Sequence, residues 1–296
     1  MKKTGLIFLL IFGSVVISSA QVKKTAKPKA PIHKTVMAKS VPATPGLQKE
    51  QRVEVTTDFG IIILKLYNQT PLHRDNFVKL VKQGFYDSLL FHRVIKSFMI
   101  QGGDPTSKRA DSTMMLGSGD VGYLVPAEFN PALFHKRGAL AAARDNNPQK
   151  ASSGCQFYIV QGKTFTTKEI EDIINNRNMN RQKEILYELY QSDTVKATLN
   201  ALQNSGVKEA VRSYVEKLQP IAENEYKRRY PNATRVNADQ VDVYVNYGGA
   251  PHLDGEYTVF GEIESGWDVV DKIASMPVRS SDNRPNQDIR MKMRLL

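Results

Sequence analysis

The feature that most constrains this chain is a series of eight short apolar segments, separated by turn residues and interrupted by two helical patterns. "RVEVTTDFGIIILKLY" alternates, breaks at Asp58-Phe59-Gly60 and resumes, which predicts a hairpin. "FHRVIKSFMIQGGD" reads as two short strands around a break. "RGALAAARD", "CQFYIVQG", "YTVFGEIE" and "DIRMKMRLL" complete the set. In "TPLHRDNFVKLVKQGFYD", Phe77, Leu80 and Val81 recur at helical spacing, with Pro71 near the start and Gly84 past the end. "GWDVVDKIASM" gives a second, shorter helix with Val269, Val270 and Ile273 on one side. No βαβ alternation is present, so the strands are expected to pair antiparallel. A closed barrel capped by the two helices would leave no exposed sheet edge.

The segment from Phe165 to about Tyr244 differs in kind. It is polar and helical, with acids and bases nearly balanced. Thr166 and Glu169 form a capping box ahead of Ile170, Ile173 and Ile174. Ile185, Leu186, Leu189 and Tyr190 continue a helical stripe; Leu199 and Leu202, then Val207, Val211, Val215 and Leu218, form two more. This predicts a helical insertion, residues 165–246, between the two parts of a β domain, 51–164 and 247–296. Such an insertion costs little closure entropy, about 0.6 kcal/mol per doubling of loop length.

The formal charge of +11 is the one hint of nucleic-acid binding. Residues 1–50 hold nine Lys/Arg and one acid, a net of +8, which leaves only +3 for the remainder. A phosphate-tracking surface needs clustered bases on the folded part, so nucleic acid is not an expected partner. The excess has another source. Lys2 and Lys3, an apolar run from Leu6 to Ile17, and Ser18-Ser19-Ala20 make residues 1–20 a signal peptide, with cleavage after Ala20. The run is short for an uncleaved anchor, and no later stretch is apolar enough to span a bilayer. Residues 21–50, rich in Lys, Ala and Pro, read as a flexible basic linker. Export, with the periplasm as compartment, is the expectation. The single cysteine, Cys155, forbids an intramolecular disulfide, so the core must hold the fold. In its apolar setting Cys155 is expected to be an inert buried thiol.

Familiar catalytic patterns are missing: no P-loop, no GxGxxG after a strand, no HExxH, CxxC or GxSxG. The five histidines, at 33, 73, 92, 135 and 252, lack ligand spacing, so no metal or cofactor is expected. Ser152 and Ser153 have no base that the pattern names. What stands out is Arg93, a charge inside an apolar, strand-like run. By itself it could be a snorkelling surface arginine.

The segments "FHRVIKSFMIQGGD", "GALAAARD", "SSGCQFYIV" and "LDGEYTVFGEI", in this order, resemble the cyclophilins, the peptidyl-prolyl cis/trans isomerases. The resemblance covers roughly residues 52–164 and 247–296 and implies an eight-stranded antiparallel barrel with a helix at each end. By motif, Arg93 falls on the family's catalytic arginine. Phe98, Met99 and Gln101 fall on the proline pocket and its hydrogen-bonding rim, and Gln101 is taken with Arg93 as catalytic. Ala143 and Arg144 fall where the substrate backbone is held, and Gln156 and Tyr158 continue the site. Leu253 closes the pocket wall. His252 stands where many eukaryotic members have Trp, the residue associated with cyclosporin binding, and Tyr257 where they have His. Tyr158 replaces a usual Phe, and Arg144 an Asn. The contacts of the polar loop at 104–120 are left open.

This residue set suits the reaction. The barrier to X–Pro rotation, about 18–20 kcal/mol, comes from amide resonance. No bond breaks, so no nucleophile is needed, only preferential binding of the twisted amide. The resemblance implies proline-containing, unfolded or folding polypeptides as partners. A competing expectation is a periplasmic chaperone or peptide-binding scaffold whose main binding surface is the insertion.

Overall fold

The computed structural model describes residues 49–231 and 237–296. The expected signal peptide, 1–20, lies outside them, as does the linker up to Gln48. In chain order the elements are β1 (Arg52–Thr57), β2 (Gly60–Leu66), α1 (Pro71–Lys82), β3 (Arg93–Ile95), β4 (Met99–Gly102), β5 (Leu124–Val125), β6 (Ala139–Ala142), β7 (Ser152–Ser153), β8 (Phe157–Val160), α2 (Thr167–Gln191), α3 (Asp193–Asn204), α4 (Lys208–Arg229), α5 (Ala238–Asn246), β9 (Val259–Ser265), α6 (Trp267–Ala274) and β10 (Met291–Leu295).

Alternation in β1 and β2 turns Val53, Val55, Ile62, Leu64 and Leu66 inward, all fully buried. These strands belong to one eight-stranded sheet of order β10-β1-β2-β9-β6-β8-β4-β3. Every pair in it is antiparallel. The eight strands are the eight predicted from the sequence. The sheet curls until its ends meet. β3 and β10 are not laddered to each other along their length; instead the chain just before β3 bonds to the start of β10. Ser88 N donates to Met291 O, Met291 N to Leu89 O and Phe91 N to Ile289 O, each at 2.9 Å. The two-stranded β5-β7 pair is an addition too short to be read from periodicity.

α1 and α6 pack on the sheet through the predicted stripes, burying Phe77, Leu80 and Val81, and Val269, Val270 and Ile273. Gly103 ends the "QGG" run with φ +97°, and a Cβ there would lie 2.3 Å from the carbonyl oxygen of Cys155. The position therefore needs glycine for both its backbone and its space.

The central strands bury both faces. Val94, Ile100, Phe157, Ile159, Leu140 and Ala142 enter the main core. Met99, Tyr158, Val160, Ala139 and Ala141, one residue out of phase, form a second cluster on the opposite face. That second face is buried because loops and the insertion cover it.

The insertion is helical as expected. Thr166 Oγ1 accepts from Glu169 N and the Glu169 carboxylate accepts from Thr166 N, so both halves of the capping box form. A small core of Ile185, Ala222 and Tyr226 ties α2 to α4. Val207, read as part of an apolar stripe, is instead exposed at the start of α4. Thr166→Ala is expected to lower stability by about 1 kcal/mol, seen as a lower urea midpoint.

Candidate active site

The site is a row across the second face. Pairing sets Arg93 opposite Gln101, Gln101 opposite Tyr158, and Tyr158 opposite Ala141. A one-residue slip of β4 would turn Met99 and Gln101 into the core, so the main-core residue Ile100 fixes the register. The row forms the floor of a cavity of about 540 Å3. Arg93, Phe98, Met99, Gln101, Ala143, Arg144, Tyr158, Leu253 and Tyr257, all expected from the sequence, line it together.

Arg93 is half-buried at the edge of β3 and donates from Nη1 to Gln101 Oε1 at 3.1 Å. Burial pulls its proton affinity down, an effect Tyr257 opposes, but a guanidinium stays charged. Among the described residues Arg93 makes no ion pair. Gln101 Nε2 donates in turn to Gln156 Oε1 at 3.0 Å. Gln156 is buried and donates both amide hydrogens to the carbonyls of Gly117 and Gly119, at 2.9 and 2.7 Å. Expected to touch substrate, it is not among the residues lining the cavity; its amide is fully engaged and its Oε1 holds Gln101.

The other expectations sort by the same geometry. Ala143 lines the cavity, but its N–H goes to Gln156 O and its carbonyl accepts from Ser153 N. It offers mainly a methyl wall. Arg144 lies over the Tyr257 ring at 4.7 Å and donates from Nε to Glu256 O, which fixes one end of the cavity. Tyr257 meets Tyr158 edge-on, with centroids 5.9 Å apart. The Tyr158 hydroxyl, absent from the usual Phe, has a partner built for it: His135 Nε2 at 2.9 Å. His135 Nδ1 pairs with Asp254 Oδ1, also at 2.9 Å, so the floor is tied to the loop carrying Leu253. His252 does not line the cavity. It stands behind Phe98, with centroids 5.3 Å apart, facing a depression shared with α2.

Sequence reasoning missed His92, Leu116, Gly117, Ser118 and Asp145, which also line the cavity. Three of them sit on the loop left open above. Asp104 organises it: its carboxylate accepts from Thr106 N, Gly117 N and Gly119 N, bringing the loop across to Gln156. An aspartate directly after Gly102-Gly103 is the only trace of this in the sequence.

His92 is 2% exposed and neither ring nitrogen has a hydrogen-bond partner. Burial, the largest influence, lowers its pKa to about 4. Folded His92 is therefore neutral where unfolded His92, near 6.5, takes up a proton. Its contribution is complete above about pH 6.5 and falls as the pH drops toward about 4. Urea unfolding across this window should show stability declining with acid, with a shallower slope in His92→Gln.

Two further groups are excluded from the chemistry. Ser152 Oγ lies 3.0 Å from His73 Nε2, and His73 Nδ1 lies 2.7 Å from Glu128. This is the order of a nucleophile, base and orienting acid, but Ser152 is 1% exposed, buried within β7 where it pairs with Val125 of β5. Glu128 also accepts from Leu72 N and His73 N, so the trio ties a loop to the start of α1. Cys155 is buried, which pushes its thiol up to about 12, as expected of an inert residue.

Comparison with known proteins gives the family. Residues 52–210 and 229–294 match the family model for cyclophilin type peptidyl-prolyl cis-trans isomerase/CLD. A peptidyl-prolyl cis-trans isomerase of Staphylococcus aureus is 32% identical over 243 residues, covering 82% of this chain and 89% of that one. A protein of Streptococcus pyogenes named as a bifunctional phosphatase/peptidyl-prolyl cis-trans isomerase is 30% identical over 242 residues, 80% of this chain but only 37% of the relative. A solved cyclophilin type isomerase from Cryptosporidium parvum is 20% identical, with TM-score 0.49, covering 84% of this chain and 98% of that chain. With the family model matched over most of its folded length, this chain belongs to the cyclophilin-type peptidyl-prolyl cis-trans isomerases and is an enzyme of that activity.

Proposed function

We propose that Arg93 is the catalytic group of the isomerisation and that exported, unfolded or folding polypeptides are its substrates. The observation that carries this is a half-buried guanidinium at the cavity edge, held by Gln101 and without a carboxylate partner. As the X–Pro bond twists, amide resonance is lost and the prolyl nitrogen gains a localised lone pair. A fixed N–H donor stabilises that nitrogen only in the twisted state, which is what lowers the barrier. Phe98, Met99, Tyr158 and Leu253 would hold the pyrrolidine ring while the preceding carbonyl turns. With the Ala143 amide engaged, the main chain of Arg144 is left to meet the substrate backbone. Gln101 is a positioning residue in this scheme, and Gln156 positions Gln101.

What supports isomerase over passive scaffold is that Arg93 shares one cavity with Phe98, Met99, Tyr158 and Leu253, while Arg177, Arg181 and Tyr244 of the insertion dock on the 254–256 loop beside it. Acceleration of cis/trans exchange in a proline peptide by the purified chain tests the reading. Export rests on the sequence of residues 1–20. N-terminal sequencing of the cellular protein should start at Gln21, and a retained Met1 would contradict processing.

A further inference from the structure

A second cavity, about 410 Å3, lies between the insertion and the sheet. Tyr257 lines both it and the proline cavity, so the two spaces adjoin at that side chain. Phe129, Leu133, Ile174 and Tyr230 supply apolar wall, and three arginines, 177, 181 and 229, line the same space.

Their charges are unevenly matched. Arg181 pairs with Glu256 at 3.0 Å and lies 4.3 Å from the centre of the Tyr230 ring. Arg229 pairs with Glu188 and Glu225. Arg177 has no carboxylate within ion-pair distance among the described residues. Its Nη1 donates to the backbone carbonyl of Asp254, and its buried Nε has no acceptor. The acids nearby are already engaged. Asp254 accepts from His135 and Tyr244, and Glu256 is shared by Arg181, Lys150 and Arg144. Arg177 and Arg181 also lie one turn apart on α2, where like charges repel. A carboxylate entering the cavity would give the Arg177 guanidinium the ion-pair partner it lacks and relieve that repulsion.

We propose that this cavity is a subsite for acidic side chains of the polypeptide substrate, presented by the segment flanking the isomerised proline. The proposal rests on the prolyl isomerase reading and adds a substrate preference to it. Proximity favours the bound substrate as the occupant. At about 3.3 Å per residue, an extended chain crosses the width of a tyrosine ring in two or three residues. Charge disfavours the chain's own N-terminal segment, because residues 21–50, left after cleavage, hold seven Lys and one acid, a net +6.

The test uses a panel of proline peptides, each with one Glu placed two, three or four residues from the proline on either side, and each matched to its Gln counterpart. Isomerisation kcat/KM is measured for every pair with the full-length processed protein. The expected result is a Glu/Gln ratio of about tenfold at one or two adjacent positions, the scale of one charge-assisted hydrogen bond. Arg177→Gln should bring that ratio to about one, and Arg177→Lys should keep most of it. Because each enzyme is compared with itself on matched peptides, a general loss of activity cancels. Ratios near one at every position in the wild type would overturn the proposal without any variant. A ratio that survives in Arg177→Gln would overturn it too. Absence of catalysis on all the Gln peptides would instead overturn the isomerase reading beneath it.

Discussion

Arg93→Ala is expected to lower kcat/KM for prolyl isomerisation by about 10²–10³, the cost of removing one preorganised donor from a site that stabilises developing charge. The loss should fall mainly on kcat, because the hydrogen bond to the prolyl nitrogen strengthens only as the amide twists. Stability should change little. The guanidinium is half-buried, makes one hydrogen bond to Gln101 and contributes no core packing. Arg93→Lys keeps the charge but loses the planar fork that serves Gln101 and substrate together, so it should fall between wild type and Ala. Neither rate should vary appreciably between about pH 6 and 9, since no step moves a proton and His92, with a pKa of about 4, is neutral throughout. A pronounced bell-shaped profile would point to acid–base chemistry, which the mechanism does not contain.

Phe157→Ala is expected to destabilise the fold by about 3–5 kcal/mol, the usual cost of emptying a large aromatic site in a core. Phe157 is 1% exposed and stands edge-on to Phe77, Tyr86 and Phe91, with centroid separations of 5.5, 5.6 and 6.1 Å. It therefore joins α1 and the chain leading into β3 to the start of β8. The adjacent residue, Tyr158, faces the opposite way into the active site. Loss of the Phe157 side chain loosens the strand that fixes Tyr158. Urea denaturation gives the magnitude, and a cost below about 1 kcal/mol would show that the cluster repacks around the gap.

How far the sequence revealed this architecture depends on range. Short apolar runs bounded by turn residues marked all eight sheet strands, with period-two alternation in β1 and β2, because those signals are local. β5 and β7 were invisible, since two residues carry no period. Nine of the eleven site residues expected from motif line one cavity. The exceptions have physical reasons. Gln156 is consumed by Gly117 and Gly119, carbonyls of a loop whose path is set by Asp104 rather than by any pattern. His252 is turned toward α2, and only the docked insertion explains why. Tyr158 looked like a mere departure from Phe; His135 and Asp254, far off in sequence, give its hydroxyl a place. The insertion's helices were legible from their stripes and the Thr166 cap. Its role beside the site was not, because the arginines that dock it, 177 and 181, read as ordinary solvated charge on a polar helix.

The most direct measurement is exchange NMR on a peptide with a single X–Pro bond, at substoichiometric concentrations of the wild-type chain and of Arg93→Ala. Uncatalysed exchange takes tens to hundreds of seconds, too slow for cross-peaks on the mixing time. Wild type should produce cis–trans cross-peaks whose intensity rises with enzyme concentration, while Arg93→Ala at the same concentration produces almost none. Cross-peaks of equal intensity with both proteins would contradict the assignment of catalysis to Arg93.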